Sequence, residues 1–402
     1  MNRMCLLENE ILDYLWGSFD FIPELMGKTP PFIKPQAEMW MGSHRKAPSK
    51  AELDNRKIPL DQLIEKYPEE ILGTIISKKF SGELPFLFKV LSASKPLSIQ
   101  AHPNKNQAIS GFDRENVKSI AIESPERNYR DSNHKPELIC ALTTMWALKG
   151  FRNPGEIMEH FAPLADIFSS FGIVILQEKL NEDGIKDLFM NLMNIDVSTA
   201  RNLMKGIRNK IRKLKNKNPA YEWTDKLNQE YPGDFGALSP LYLNVLKLNP
   251  GEAIFLPACE LHAYLSGSGL EIMANSDNVL RGGLTQKYID KTELMNVLNF
   301  TPAIPEIIRG TKSEPFETFF HSAAEEFILS VIDLPEENSL YKKGGQRSVE
   351  ILLCTDGKAV ISDVSAANRL TIKRGTSILV PASLEGYSIM GKATIYKASV
   401  PL

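Results

Sequence analysis

Three short islands of the chain gather side chains that can do chemistry. Residues 262–287, HAYLSGSGLEIMANSDNVLRGGLTQK, crowd a histidine, two carboxylates, an arginine and a lysine into alternating, glycine-punctuated sequence; LSIQAHPNKNQA (97–108) and YRDSNHKPE (129–137) share its character. Side chains two apart on a strand point to the same face. That places Ser98, Gln100 and His102 together with Ile99 and Ala101 behind them, pairs Lys135 with Glu137 across Pro136, and sets Tyr264 beside His262. Gln100, His102, Glu137 and His262 then offer two nitrogens and two oxygens. Such a shell suits one borderline ion such as zinc and leaves a position for water or substrate.

The elements that must position these groups show three textures. Pro- and Gly-punctuated apolar runs such as LPFLFKVLSA and LICALTTMWALKGF predict strands up to about residue 152. From 153 to 239 apolar residues recur three and four apart, as in GIKDLFMNLMNIDVSTARNLMKGIRNKI, which predicts an inserted helical domain. Strands resume after Pro240 and run to Leu402, apart from a helix near 291–298. LNPGEAIFLPACELHAYL (248–265) aligns without gaps on IKRGTSILVPASLEGYSI (372–389), matching Gly251 to Gly375 and Pro257 to Pro381. A glycine turn, a short strand and a proline turn into another strand is what a cupin jelly roll shows. The expected fold is therefore mainly β: two cupin-like jelly-roll barrels with an inserted α-helical domain. Residues 1–152 and 240–312 would form the metal-binding barrel. Residues 313–402 would form a second barrel without ligands, since Gly386 stands where the first copy has His262.

The islands resemble the signatures of the zinc-dependent mannose-6-phosphate isomerases. AEMWMGSHRKAPS (37–49), LPFLFKVLSASKPLSIQAHPNK (84–105) and the early WGS at Trp16 are similar to family segments in the same order, so the resemblance runs to about residue 290. It implies a zinc aldose–ketose isomerase of the cupin superfamily acting on mannose 6-phosphate and fructose 6-phosphate, with ligands at Gln100, His102, Glu137 and His262 and with Arg281 lining the pocket. One stretch departs: where the family has Arg-Ala-Gly-x-Thr-Pro-Lys, this chain has Gly282 and Gln286 between Arg281 and Lys287. Loss of the proline frees a φ angle and the glycine adds backbone freedom, which predicts a mobile loop.

Isomerisation requires ring opening, transfer of a proton between C2 and C1 through an enediolate, and a hold on the phosphate. Lys135 beside the metal is the first candidate for the base. His134, Glu271 and Asp277 compete, with His134 also suited to the ring oxygen although strand alternation turns it away from Lys135. Arg281 fits the enediolate or the phosphate; Ser98 and Lys287 are candidate anion anchors, and Trp16 and Tyr264 complete the expected substrate wall. Glu271 could instead orient a ligand, and Asp277 could shape a turn. A metal-binding sugar-phosphate sensor is the competing class, disfavoured because a sensor has no need of Lys135, His134 and Arg281 together.

Composition agrees. A net charge of −2 argues against nucleic acid or a membrane surface as partner, and no apolar run approaches the length of a membrane span. Cys5, Cys140, Cys259 and Cys354 lack metal or disulfide spacing and read as reduced thiols, which predicts a cytoplasmic protein. A monomer is expected, with a weak homodimer as the alternative. His44, His160 and His321 read as ordinary surface or core residues, His44 least safely. The run RNLMKGIRNKIRKLKNKN (201–218) reads as a solvated helix face over an apolar stripe.

Overall fold

In the computed structural model, which describes residues 1–173, 181–216 and 218–402, the chain is mainly β, built from two antiparallel sheets. Residues 174–180 of the expected insertion and Lys217 of the basic run lie outside the described residues. Neither sheet closes into a ring of paired strands among the described residues. In the first sheet, the long strand His262–Ala274 is the organising element: it pairs with Phe86–Ala93, Ile99–Ala101, Glu137–Ala141 and Met145–Phe151. All three islands thereby meet on one strand. The second sheet holds the C-terminal strands and also takes in Cys5–Glu8, Lys50–Leu53 and Arg56–Pro59 from the first sixty residues, Leu6 lying opposite Ile378. Phe88, Leu138 and Ile272 of the first sheet share a hydrophobic cluster with Leu353, Leu379 and Ala398 of the second, so the sheets rest on a common core.

Across the first sheet Lys149, His262, Gln100 and Arg281 stand directly opposite one another on four adjacent strands, and therefore on one face. Their neighbours Leu148, Ala263, Ile99 and Leu280 turn to the other face and are covered by the insertion through Phe161, Phe189, Leu203 and Ile207. The helices thus press on the back of the strands that carry the candidate site. Asn153, Asn181, Asp196 and Asn218 cap four of them by accepting backbone N–H groups. In the basic helix Val197–Leu214, Leu203, Ile207 and Ile211 are buried while Lys210 pairs with Asp166, and Arg212 lies near Asp225. The helix Lys291–Val297 forms where periodicity placed it, capped by Asp290.

One substantial helix within the strand-rich first part was not foreseen. Lys105–Val117 begins with a capping box in which Asn104 and Gln107 bond reciprocally to each other's backbone. The aligned segments share local features. Gly251 and Gly375 both adopt φ +84, the strands Ala253–Leu256 and Ser377–Val380 occupy aligned positions, and the strands that follow start at His262 and Gly386. Glu137 lies opposite Leu256, and Glu350 lies opposite Val380. In the second copy the carboxylate faces Arg347 and Lys397 in place of histidines.

Candidate metal and catalytic site

His102, Glu137 and His262 converge, each nearly inaccessible to solvent, with one ligand atom from each within 4.8 Å of the others. His102 Nε2 lies 3.2 Å from Glu137 Oε1, and His262 Nε2 lies 3.4 Å from Glu137 Oε2. Each imidazole has a carbonyl acceptor on its far side: Asn278 O is 2.7 Å from His102 Nδ1, and Glu260 O is 3.0 Å from His262 Nδ1. With Nδ1–H donating in both rings, the two Nε2 lone pairs point inward. Neither Nε2 has a hydrogen-bond partner, and nor does Glu137 Oε2. Three orphaned buried atoms in this arrangement are costly without a cation to satisfy them. Burial holds His102 at about 4, so it is a neutral ligand at pH 7. Burial also works against an ionised Glu137, but Lys135 and the two histidines override it and hold the carboxyl well below its usual value. Gln100, opposite His262 on the neighbouring strand, is placed on the same face.

Lys135 Nζ sits 3.1 Å from Glu137 Oε1 and is largely buried. Glu271 lies on the His262 strand with both oxygens engaged, one by Lys89 Nζ at 2.9 Å and the other by the Tyr264 hydroxyl at 2.8 Å. The Tyr264 ring stands 6.5 Å from that of His262. Trp16 packs with Tyr264 and Leu97 in one apolar cluster, and Ser98 is half-buried at the start of the Gln100 strand. Arg281 is beside Gln100. Burial and then the charge of Arg130 depress Arg281, while burial, Arg281 and Arg130 depress Lys287. These three cations face one another without a carboxylate to neutralise Arg281 or Lys287 among the described residues.

Residues 4–154 match the family described as phosphomannose isomerase type I, catalytic domain. The mannose-6-phosphate isomerase of Salmonella typhimurium is 40% identical over 382 residues, covering 94% of each chain, and that of Homo sapiens is 32% identical over 95% of this chain and 94% of its own. This chain belongs to the type I phosphomannose isomerase family. A solved mannose 6-phosphate isomerase described as holo and zinc bound superposes with a TM-score of 0.89 at 38% identity, each chain covered in full. Zinc is the cofactor of this family site, and the orphaned atoms of His102, Glu137 and His262 fit it.

Several sequence expectations change within this phosphomannose isomerase fold. Asp277 faces His44 Nε2 at 3.5 Å and Lys46 Nζ at 2.9 Å. Burial opposes its charge, yet the contacts with His44 and Lys46 win and keep the carboxyl far below its usual value. A carboxylate so held is a poor base, and His44, expected to be ordinary, is its partner. His160 and His321 are ordinary: the first bonds Asn218, the second lies exposed against Phe319. His134 precedes the strand Glu137–Ala141, so strand alternation does not set its direction, and it bonds Glu326 Oε1 at 2.6 Å. The stretch after Arg281 is not a free loop at its start. Leu280–Gly283 is a bulged strand on Ile99–Ala101, with Gly283 at φ +134 close against Gly236. Asp234 of the insertion bonds Gly236 N–H and Thr285 N–H on either side of that contact, so the glycines serve close approach.

Sequence reasoning missed Lys89, Asn278, Lys149 and Arg130. A lysine inside the wholly buried strand Phe86–Ala93 was the legible signal for Lys89. Lys149 Nζ pairs with Glu260 at 2.6 Å and so anchors the turn whose carbonyl orients His262. Asn278 has no solvent exposure; its side chain accepts from Arg130 N–H and donates to the carbonyls of Asp131 and Asn133, while its own carbonyl holds His102. Asn278→Ala is expected to weaken zinc binding about 10- to 100-fold in competition with a chelator, because it loosens the segment leading to Lys135 and Glu137. Unchanged zinc affinity would show that the backbone carbonyl alone suffices.

Proposed function

We propose that this chain is a zinc-dependent mannose-6-phosphate isomerase that interconverts D-mannose 6-phosphate and D-fructose 6-phosphate through an enediolate. The observation that carries this reading is the set of inward-facing orphan atoms of His102, His262 and Glu137 with Lys135 Nζ at their edge. His102, Glu137, His262 and Gln100 would hold the metal. Bound there, zinc supplies a Lewis acid that favours negative charge on the sugar's C1 and C2 oxygens.

Lys135 is the proposed base. Its amine takes the proton from C2 and returns it to C1 while the O2 hydroxyl proton passes to O1, so one C–H and one O–H bond break, one C–H and one O–H bond form, and no oxidant is needed. Glu271 is assigned to orientation, since Lys89 and Tyr264 already occupy both its oxygens. Arg281, Arg130 and Lys287 are the proposed phosphate clamp, with Ser98 at its edge; the support is that Arg281, opposite Gln100, and Lys287 have no carboxylate partner among the described residues, while Arg130 is paired only with Glu123. Arg281→Ala is then expected to raise KM for mannose 6-phosphate tenfold or more, with a smaller change in kcat. A loss confined to kcat would move Arg281 to the enediolate.

The division into a metal-binding jelly roll (1–152 and 240–312), a helical insertion (153–239) and a second jelly roll (313–402) is proposed on the aligned repeat. As a sugar-phosphate enzyme with unpaired cysteines, the protein is proposed to work as a cytoplasmic monomer. Fructose 6-phosphate formation from mannose 6-phosphate, with glucose 6-phosphate left unconverted, tests the activity. Binding without turnover would favour the sensor.

A further inference from the structure

Between Asn133, pinned by Asn278, and Glu137, fixed in its strand, the chain makes a turn that carries Lys135. Pro136 gives this turn one backbone donor fewer, and its carbonyl is held by Ala274 N–H. His134 N–H also donates to Asn133 Oδ1, Lys135 Nζ pairs with Glu137, and one further side-chain bond crosses the molecule: His134 Nε2 to Glu326 Oε1 at 2.6 Å. Glu326 belongs to the C-terminal part of the chain, which contributes no metal ligand. Ala324 and Phe327 on either side are buried in the core cluster that includes Leu138 and Ile272, and Glu325 pairs with Lys79 Nζ at 2.9 Å. Glu326 is 7% exposed, and its second oxygen has no partner. Burial pushes its carboxyl upward, but the bond to His134 outweighs this and the net displacement is down. The acceptor is thus an anion, and the contact is a charge-assisted hydrogen bond.

We propose that Glu326 is a positioning residue for the isomerase site: by fixing the His134 ring it sets the turn and, through it, the approach of Lys135 to the substrate carbons. This rests on the isomerase reading above and extends it to the C-terminal half, giving the ligand-free copy of the repeat a part in catalysis. A turn that lacks this anchor still folds and still presents Glu137 to the metal, because the strand Glu137–Ala141 is held on both edges. The loss therefore falls on orientation, which acts on kcat.

Glu326→Ala is expected to lower kcat about tenfold with KM within about twofold. Zinc content and far-ultraviolet circular dichroism should stay at wild-type values. Glu326→Gln keeps an acceptor for the ring N–H and should recover most of the loss. In a His134→Ala background the Glu326→Ala substitution should have no further effect, since the two act through one bond. Wild-type kcat in Glu326→Ala would overturn the proposal. So would an undiminished second loss in the double variant, or a fall in kcat that tracks loss of zinc. Inactivity of the wild-type protein itself would instead defeat the isomerase reading and is read out in the same experiment.

Discussion

Lys135→Ala lowers kcat by roughly 10²- to 10⁴-fold, the range expected for removal of a positioned general base. The expectation rests on elimination as much as on proximity. Lys135 Nζ is 3.1 Å from Glu137 and stands at the edge of the ligand cluster, whereas each rival is committed elsewhere. Asp277 is held ionised by His44 and Lys46, His134 is bonded to Glu326, and Glu271 is shared between Lys89 and Tyr264. Zinc content should be unchanged, because Lys135 is not a ligand. Lys135→Arg should fail to rescue, since a guanidinium does not release its proton at working pH. Steady-state kinetics with metal analysis on the same preparations checks both points. A loss below tenfold would transfer the role to Glu271, the remaining buried carboxylate next to the site.

Glu137→Ala abolishes zinc binding and reduces turnover at least a thousandfold, while His262→Ala removes the metal at a smaller cost to the fold. The difference follows from charge. Glu137 is the partner of buried Lys135, and removing it leaves that ammonium uncompensated, a situation that costs about 3–5 kcal/mol. His262→Ala keeps the Lys135–Glu137 pair, so its metal-free form should melt well above that of Glu137→Ala. Thermal unfolding of both variants and of chelated wild-type protein measures this order. Equal Tm values would mean that Lys135 finds another anion or water once Glu137 is gone.

The convergence of His102, Glu137 and His262 was legible in part because spacing is a local property. His262 and Tyr264 share a face by strand alternation, His102 directly follows the Gln100 strand, and the resemblance of the islands pointed to which strands to combine. The helices after residue 153 and the matching short strands Ala253–Leu256 and Ser377–Val380 were legible for the same reason, each being written in a period of the sequence. What escaped depends on pairings between distant segments. Nothing near Asn278 announces that its side chain ties residues 130–133 while its carbonyl aims His102. The fate of Asp277 was set by His44 and Lys46, more than two hundred residues away in sequence. Gly282 reads as freedom when taken alone, yet it is enclosed by the side chains of Leu261, Ile99 and Leu294, and its neighbour Gly283 gives clearance for a close backbone approach to Gly236. Entry of Cys5–Glu8 into the C-terminal sheet is likewise a register chosen by the whole fold.

The central claim is that His102, Glu137, His262 and Gln100 hold a zinc ion on which sugar-phosphate isomerisation depends. Its most direct test is the rate of fructose 6-phosphate formation from mannose 6-phosphate, measured on purified protein, after chelation and after readdition of zinc, with bound metal quantified at each stage. Activity that falls with the metal and returns at one zinc per chain is the predicted result. Full turnover by metal-free protein, or zinc-replete protein that binds mannose 6-phosphate without converting it, would contradict the account.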